Sequence, residues 1–137
     1  MTVRQILPFG DSLLRKKAKP VAELNERTFK LLDDMAETLY AAKGAGLAAP
    51  QVGVLRRLVV MDCGDGLIEL INPEIIEMDG EQTGAEACLS FPGYYGIVKR
   101  ANRVSADQSG AGLSEAARRG AAKTCGRTAR ITRTSKF

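Results

Sequence analysis

Two short segments carry the residues best suited to chemistry. Residues 44–51 read Gly-Ala-Gly-Leu-Ala-Ala-Pro-Gln and residues 86–90 read Glu-Ala-Cys-Leu-Ser. The glycines allow a backbone to approach a ligand closely, and Gln51 adds an amide donor beside them. The same run can also be a connecting loop that needs glycine for its turns. No Gly-Lys-Ser/Thr follows it, which excludes a phosphate-binding loop.

Cys88 offers either a nucleophile or a soft metal ligand. A nucleophilic cysteine needs a histidine to activate it, and a metal needs several ligands. The 137 residues contain no histidine, and Cys63 and Cys125 are the only other cysteines. A lone cysteine in a small-residue turn can also be a small buried apolar residue. The residues alone leave both interpretations open.

The elements that position these segments are a helix followed by short strands. Apolar residues recur at helical spacing from Asn25, which can cap the helix, to about residue 42. The polar residues between them, Asp34 included, predict a solvent-facing side on a surface helix packed against a sheet. Apolar runs at 57–62, 67–71, 74–78 and 94–100 predict strands. This order indicates an α+β domain with antiparallel sheets packed with helices.

Charge divides the chain near residue 105. Residues 105–137 hold seven Lys and Arg against two acidic residues, which accounts for the net charge of +4. They lack a persistent apolar period, so we expect a domain at 1–104 and a basic, disordered tail at 105–137. Three cysteines with no paired spacing favour a reducing, cytoplasmic setting, and no apolar run is long enough to span a membrane.

The two segments, in this order, resemble the peptide deformylase family. That family has a Gly-x-Gly-x-Ala-Ala-Pro-Gln run, then Glu-Gly-Cys-x-Ser, then His-Glu-x-x-His on a helix. The stretches at 4–7, 71–73 and 92–94 also resemble its sequences, so the resemblance covers residues 1–104. It implies the family's α+β fold and a metallohydrolase that removes the formyl group from N-formylmethionine of nascent proteins. The implied partners are N-formylmethionyl peptides and the ribosome.

The resemblance assigns roles to individual residues. Cys88 corresponds to the ligand of the catalytic metal, Fe²⁺ or Zn²⁺. Gln51 and the backbone N–H of Leu89 correspond to the catalytic donors that stabilise the oxyanion formed when water attacks the formyl carbonyl. Gly44, Gly46 and Glu86 correspond to the substrate-binding part of the site: the glycine loop lies along the peptide and Glu86 anchors the site from behind.

The third motif is absent, so the fold is expected to lack the C-terminal metal helix. Without its two imidazoles the metal has too few ligands, and metal binding and activity are expected to be lost. A metal site that uses Cys63 or Cys125 is an alternative. A second is a non-catalytic remnant that binds formyl-peptides, or the ribosome or RNA through the basic tail. We hypothesise a frameshift near residue 105, because codons for Ile131-Thr132-Arg133 can read His-Glu in a neighbouring frame; the nucleotide sequence tests this.

Overall fold

The computed structural model describes residues 2–62, 64, 66–108 and 128–132. These residues form an α+β fold whose strands all pair antiparallel, as predicted. In chain order the elements are α1 (Glu26–Ala41), β1 (Gly46–Ala48), β2 (Leu58–Met61), β3 (Ile68–Ile71), β4 (Pro73–Asp79), β5 (Gln82–Cys88), β6 (Phe91–Arg100), β7 (Arg103–Gln108) and β8 (Thr128–Thr132), with short 3₁₀ turns at Ser12–Arg15 and Ala49–Val52.

Helix α1 begins where the sequence predicts. The Asn25 side chain accepts a hydrogen bond of 3.1 Å from the backbone N–H of Thr28, which satisfies one donor of the first turn. Leu32, Met35 and Leu39 recur on one side of the helix and are fully buried. This apolar side packs on β1 and β2, as expected for a helix that lies on a sheet.

The prediction that Asp34 lies on the solvent-facing side of α1 is wrong. Its side chain is 1% exposed and receives the Thr2 N–H at 2.9 Å, the Arg4 guanidinium at 2.9 Å and the Lys30 ammonium at 3.0 Å. Burial alone raises the pKa of the Asp34 carboxyl, but the hydrogen bonds from Lys30, Arg4 and Thr2 outweigh it and hold the pKa below its usual value. The N-terminal segment covers this part of the helix, which no periodicity within the helix could reveal.

The first sheet, in the order β1-β2-β3, provides the floor of the core. Leu47, Leu58 and Val60 project from it and are at most 1% exposed. The predicted strands at 57–62 and 67–71 are confirmed as β2 and β3, within a residue or two of their ends. Strand β2 alternates between buried and half-buried residues, whereas β3 has three buried residues in succession, and both were located by their runs of apolar residues.

The other two sheets use the second half of the chain. One has the order β4-β7-β8, with a register shift between Ile75 and Glu77, and the other is the β5-β6 hairpin. Strand β7 runs across position 104 to Gln108 and β8 pairs with it, and the expected division into a domain at 1–104 and a tail at 105–137 stays a prediction. Partner strands supply backbone hydrogen bonds that residue composition does not report. The rest of the expected tail, 109–127 and 133–137, lies outside the described residues.

Helix α1 is the one α-helix in the described part of the chain. Within these same residues, no helix has both the length and the apolar character needed to cross a lipid bilayer.

Candidate functional site

The two segments singled out from the sequence face each other across a cleft of about 690 Å³. The loop after α1 forms one side, and the end of β5 with the start of β6 forms the other. All six residues assigned to the site from the sequence line it. Within the part of the chain that the structure describes, the lining comprises Lys43, Gly44, Ala45, Gly46, Gln51, Ala85, Glu86, Ala87, Cys88, Leu89, Pro92, Gly93 and Tyr95.

The Gln51 side chain is held at both ends of its amide. Gln51 lies in the 3₁₀ turn Ala49–Val52, which Pro50 helps to start. Its Oε1 accepts a hydrogen bond of 3.0 Å from the backbone N–H of Ala48. Its Nε2 donates to the Ser90 hydroxyl at 3.0 Å and lies 3.7 Å from the sulfur of Cys88. A backbone donor therefore fixes the amide so that its own N–H groups point into the cleft.

Cys88 ends β5, at a point where the hairpin changes register. Ala87 pairs with Tyr95, whereas Cys88 pairs with Phe91, and Leu89-Ser90 form the turn between the strands. The thiol is exposed to the cleft. The interpretation of Cys88 as a small buried apolar residue is therefore wrong. Cys88 was expected in a small-residue turn, but it is the last residue of strand β5. The irregular pairing turns this residue out of the regular ladder.

Gly44 and Gly46 differ in how strongly the structure requires them. A Cβ atom on Gly44 would lie 2.6 Å from Cδ1 of Leu89, well inside contact distance. A Cβ atom on Gly46 would lie no closer than 3.8 Å to any neighbour, the Val60 carbonyl oxygen. Gly44 is thus needed for the close approach of the two sides of the cleft, with the partly buried Leu89 side chain filling the gap between them.

Glu86 lines the cleft with its charge already matched. Its carboxylate lies 3.1 Å from the Arg100 guanidinium, which reaches it from the neighbouring strand β6. The Glu86 side chain is 19% exposed and that of Arg100 is 58% exposed. The ion pair links strands β5 and β6 of the hairpin.

The N-terminal segment joins the two sides of the cleft, which the sequence reasoning missed. The Leu7 N–H donates to the Gln51 carbonyl at 2.7 Å, and the Phe9 N–H donates to the Ser90 carbonyl at 2.8 Å. The Phe9 ring also contacts the Phe91 ring, with 5.2 Å between centroids. Backbone bonds between distant segments leave no periodic signal, so no pattern in the sequence could have located this brace (residues 7–9).

Two further lining residues, Lys43 and Tyr95, were also missed. Lys43 lies between the helix and Gly44 and has a φ of 54°, a left-handed value unusual for a residue with a side chain. Tyr95 is 76% exposed on β6. A charged residue immediately before a glycine-rich loop was the signal available for Lys43.

The donors needed for a metal are not present in this part of the molecule. The described residues contain no group of three or more His, Cys, Asp or Glu side chains arranged to hold an ion. The sequence has no histidine at all, and Cys63 and Cys125, the alternative sulfur ligands, lie outside the described residues. Catalytic zinc sites use three protein ligands, so Cys88 with its neighbours does not fit Fe²⁺ or Zn²⁺.

Comparison with known proteins agrees with the architecture of the cleft. The model of the polypeptide deformylase family matches residues 3–115. The chain belongs to this family. Peptide deformylase of Caldanaerobacter subterraneus subsp. tengcongensis is 60% identical over 104 residues, which cover 76% of this chain and 65% of that protein. Peptide deformylase of Acetivibrio thermocellus is 64% identical over 104 residues, which cover 76% of this chain and 61% of that protein.

Solved structures give the same fold. The chain is similar to peptide deformylase from Thermotoga maritima, with a TM-score of 0.78 and 42% identity over 80% of this chain and 76% of that one. It is also similar to a peptide deformylase from Legionella pneumophila, with a TM-score of 0.75 and 44% identity over 78% of this chain and 65% of that one. The chain thus spans just under two thirds of the length of the curated relatives named above.

Proposed function

We propose that this member of the deformylase family binds N-formylmethionyl peptides in the cleft and that these 137 residues alone do not hydrolyse them. The observation that carries the proposal is the fixed Gln51 amide. Its Nε2 points at Cys88 and Ser90, while the other end of the amide is held by Ala48. One N–H of this amide donates to Ser90, and the other, which lies near the Cys88 sulfur at 3.7 Å, can donate instead to a carbonyl oxygen in the cleft.

In the proposed complex, the formyl oxygen accepts hydrogen bonds from Gln51 Nε2 and from the backbone N–H of Leu89. The loop containing Gly44 and Gly46 lies along the peptide, because both glycines line the cleft that holds Gln51. Glu86 contributes through its ion pair with Arg100, which holds β5 in place. These assignments follow the family resemblance and are supported by the presence of all these residues in one cleft.

Hydrolysis is a separate matter. In the family the metal activates the attacking water, a task that requires several ligands to hold the ion. Cys88 is the one metal ligand we assign, and the chain contains no imidazole to accompany it. We therefore derive no hydrolytic step and expect less than stoichiometric Fe²⁺ or Zn²⁺. Formylated peptides are the N-terminal ends of nascent chains. We therefore expect the proposed binding to take place in the cytoplasm, near the ribosome.

The test compares formyl-Met-Ala-Ser with Met-Ala-Ser by calorimetry on the full 137-residue chain. We expect the formylated peptide to bind more tightly, and Gln51→Glu to weaken its binding about tenfold, equivalent to the loss of one hydrogen bond. This substitution keeps the oxygen that accepts from Ala48 and replaces the donor. Gln5→Glu is the matched control, because Gln5 carries the same change outside the cleft.

Equal affinity for the two peptides would refute formyl recognition. Metal analysis and formate release address the second half of the proposal. Stoichiometric metal together with formate release at an enzyme-like rate would show that hydrolysis does not require histidine here. That result would direct attention to Cys63 and Cys125.

A further inference from the structure

Lys43 occupies the residue position that ends helix α1. The Lys43 N–H donates to the Tyr40 carbonyl at 3.1 Å, and the Gly44 N–H donates to the Leu39 carbonyl at 3.1 Å. These two bonds form the Schellman arrangement, whose central residue adopts a left-handed conformation and is usually glycine. Lys43 adopts it with a φ of 54°. The capping bonds come entirely from the backbone, so they do not require a lysine.

A lysine at this position carries a strain that glycine would avoid. What it adds is a charged side chain at the edge of the cleft. The electrostatic field at the C-terminal end of a helix favours a cation there, although only weakly at an exposed site. Helix capping therefore does not explain why this residue is a lysine. Its location in the cleft indicates that the charged side chain contributes to ligand binding.

The cleft lining carries a positive charge, that of Lys43, which no described acidic residue of the lining balances. Among the described residues that line the cleft, Glu86 is the one with an acidic side chain, and it is paired with Arg100. Among the described residues, no carboxylate lies within ion-pair distance of Lys43. An ammonium group at a partly enclosed surface attracts anions more strongly than one in open solvent, since the protein walls lower the local dielectric.

We propose that Lys43 is a specificity-determining residue that favours formyl-peptides with a carboxylate side chain beyond the formylmethionine. The inference rests on the proposed function, because the formyl group is taken to lie at Gln51 and Leu89. The peptide then continues along the loop that begins at Lys43 and Gly44. A glutamate side chain has the length and charge to reach an ammonium group at the edge of that loop.

The experiment measures the affinity of the full chain for formyl-Met-Ala-Glu and formyl-Met-Ala-Gln, and for formyl-Met-Glu-Ala and formyl-Met-Gln-Ala. Each pair differs only in charge. In at least one pair we expect the glutamate peptide to bind about three- to fivefold more tightly at low ionic strength, as for a single ion pair near a surface. The preference should shrink in 0.5 M salt because of screening.

Lys43→Met should abolish the preference and Lys43→Glu should invert it, whereas the control Lys17→Met, at an exposed lysine outside the cleft, should leave it unchanged. Equal binding of glutamate and glutamine peptides in both pairs, with formylated peptides still preferred over unformylated ones, would overturn the role of Lys43 and leave the proposed function standing. Failure to bind any formyl-peptide would overturn both.

Discussion

Replacing Gly44 with alanine tests the packing between the two sides of the cleft. The added Cβ would lie 2.6 Å from Cδ1 and 3.1 Å from Cδ2 of Leu89, so the leucine must move. Overpacking of this kind costs about 1–3 kcal/mol, and the low end applies because the obstacle is the end of a flexible side chain. Gly44 has no left-handed φ, so alanine also recovers about 0.4–1 kcal/mol of unfolded-chain entropy.

Gly46→Ala is the matched control. Gly46 also has no left-handed φ, and its added Cβ meets nothing closer than 3.8 Å. It should therefore gain the entropic term alone and stabilise the chain by about 0.4–1 kcal/mol. Urea unfolding followed by circular dichroism should separate the two variants by about 1 kcal/mol, the low end of the overpacking cost, or roughly 4 °C in Tm.

A double-mutant cycle identifies the atom responsible. Leu89→Ala removes the two methyl groups that the new Cβ would meet, so in that background Gly44→Ala should stabilise the chain by about 0.4–1 kcal/mol, as Gly46→Ala does. If Gly44→Ala and Gly46→Ala unfold at the same urea concentration, or if the cost persists when Leu89 is alanine, the close approach described between the loop and the turn is incorrect.

Three further predictions concern stability. Asp34→Asn should lower the free energy of unfolding by about 2 kcal/mol at pH 7 through lost charge-assisted hydrogen bonds. Because the folded pKa of Asp34 is lowered, its contribution is present above about pH 4 and is lost as the pH falls further. The free energy of unfolding of the variant should therefore change less with pH below about pH 4 than that of the wild type. Asn72→Ala should cost about 2–3 kcal/mol, because the Asn72 amide exchanges two hydrogen bonds with the backbone of Val21 and its φ is 49°; a melt within 1 °C of wild type would contradict this. Lys43→Gly should have a free energy of unfolding about 1 kcal/mol higher than Lys43→Ala and therefore a higher Tm, because both remove the charge and only glycine relieves the left-handed φ of 54°. Equal Tm values would refute the strain argument.

Sequence patterns located the elements that have a strong period of their own. Helix α1 with its Asn25 cap and strand β2 were predicted because their burial follows the helix or strand repeat. Strand β3 was predicted from its apolar residues, although its burial does not alternate. Strands β1 and β5 were not predicted. Strand β1 is mostly glycine and alanine and β5 mixes these residues with polar ones, so neither has an apolar run, and their pairing with β2 and β6 makes them strands.

The site shows the same division between local and distant information. Gln51 and Cys88 were found because each lies in a recognisable run of residues, and the fold brings their side chains to 3.7 Å. The burial of Asp34, the pairing of Glu86 with Arg100 and the bonds of the N-terminal segment depend on residues far away in the chain. Such contacts are decided by tertiary packing, which a single sequence does not display.

The brace at residues 7–9 has a consequence for how the chain is made. A protein leaves the ribosome N-terminus first, so the amides of Leu7 and Phe9 emerge long before their acceptors on Gln51 and Ser90. Until residue 90 has been synthesised, the Phe9 N–H lacks the carbonyl that accepts its hydrogen bond in the folded chain. The two sides of the cleft are therefore joined at a late stage of translation, and a pause between residues 51 and 90 would hold a half-assembled cleft open.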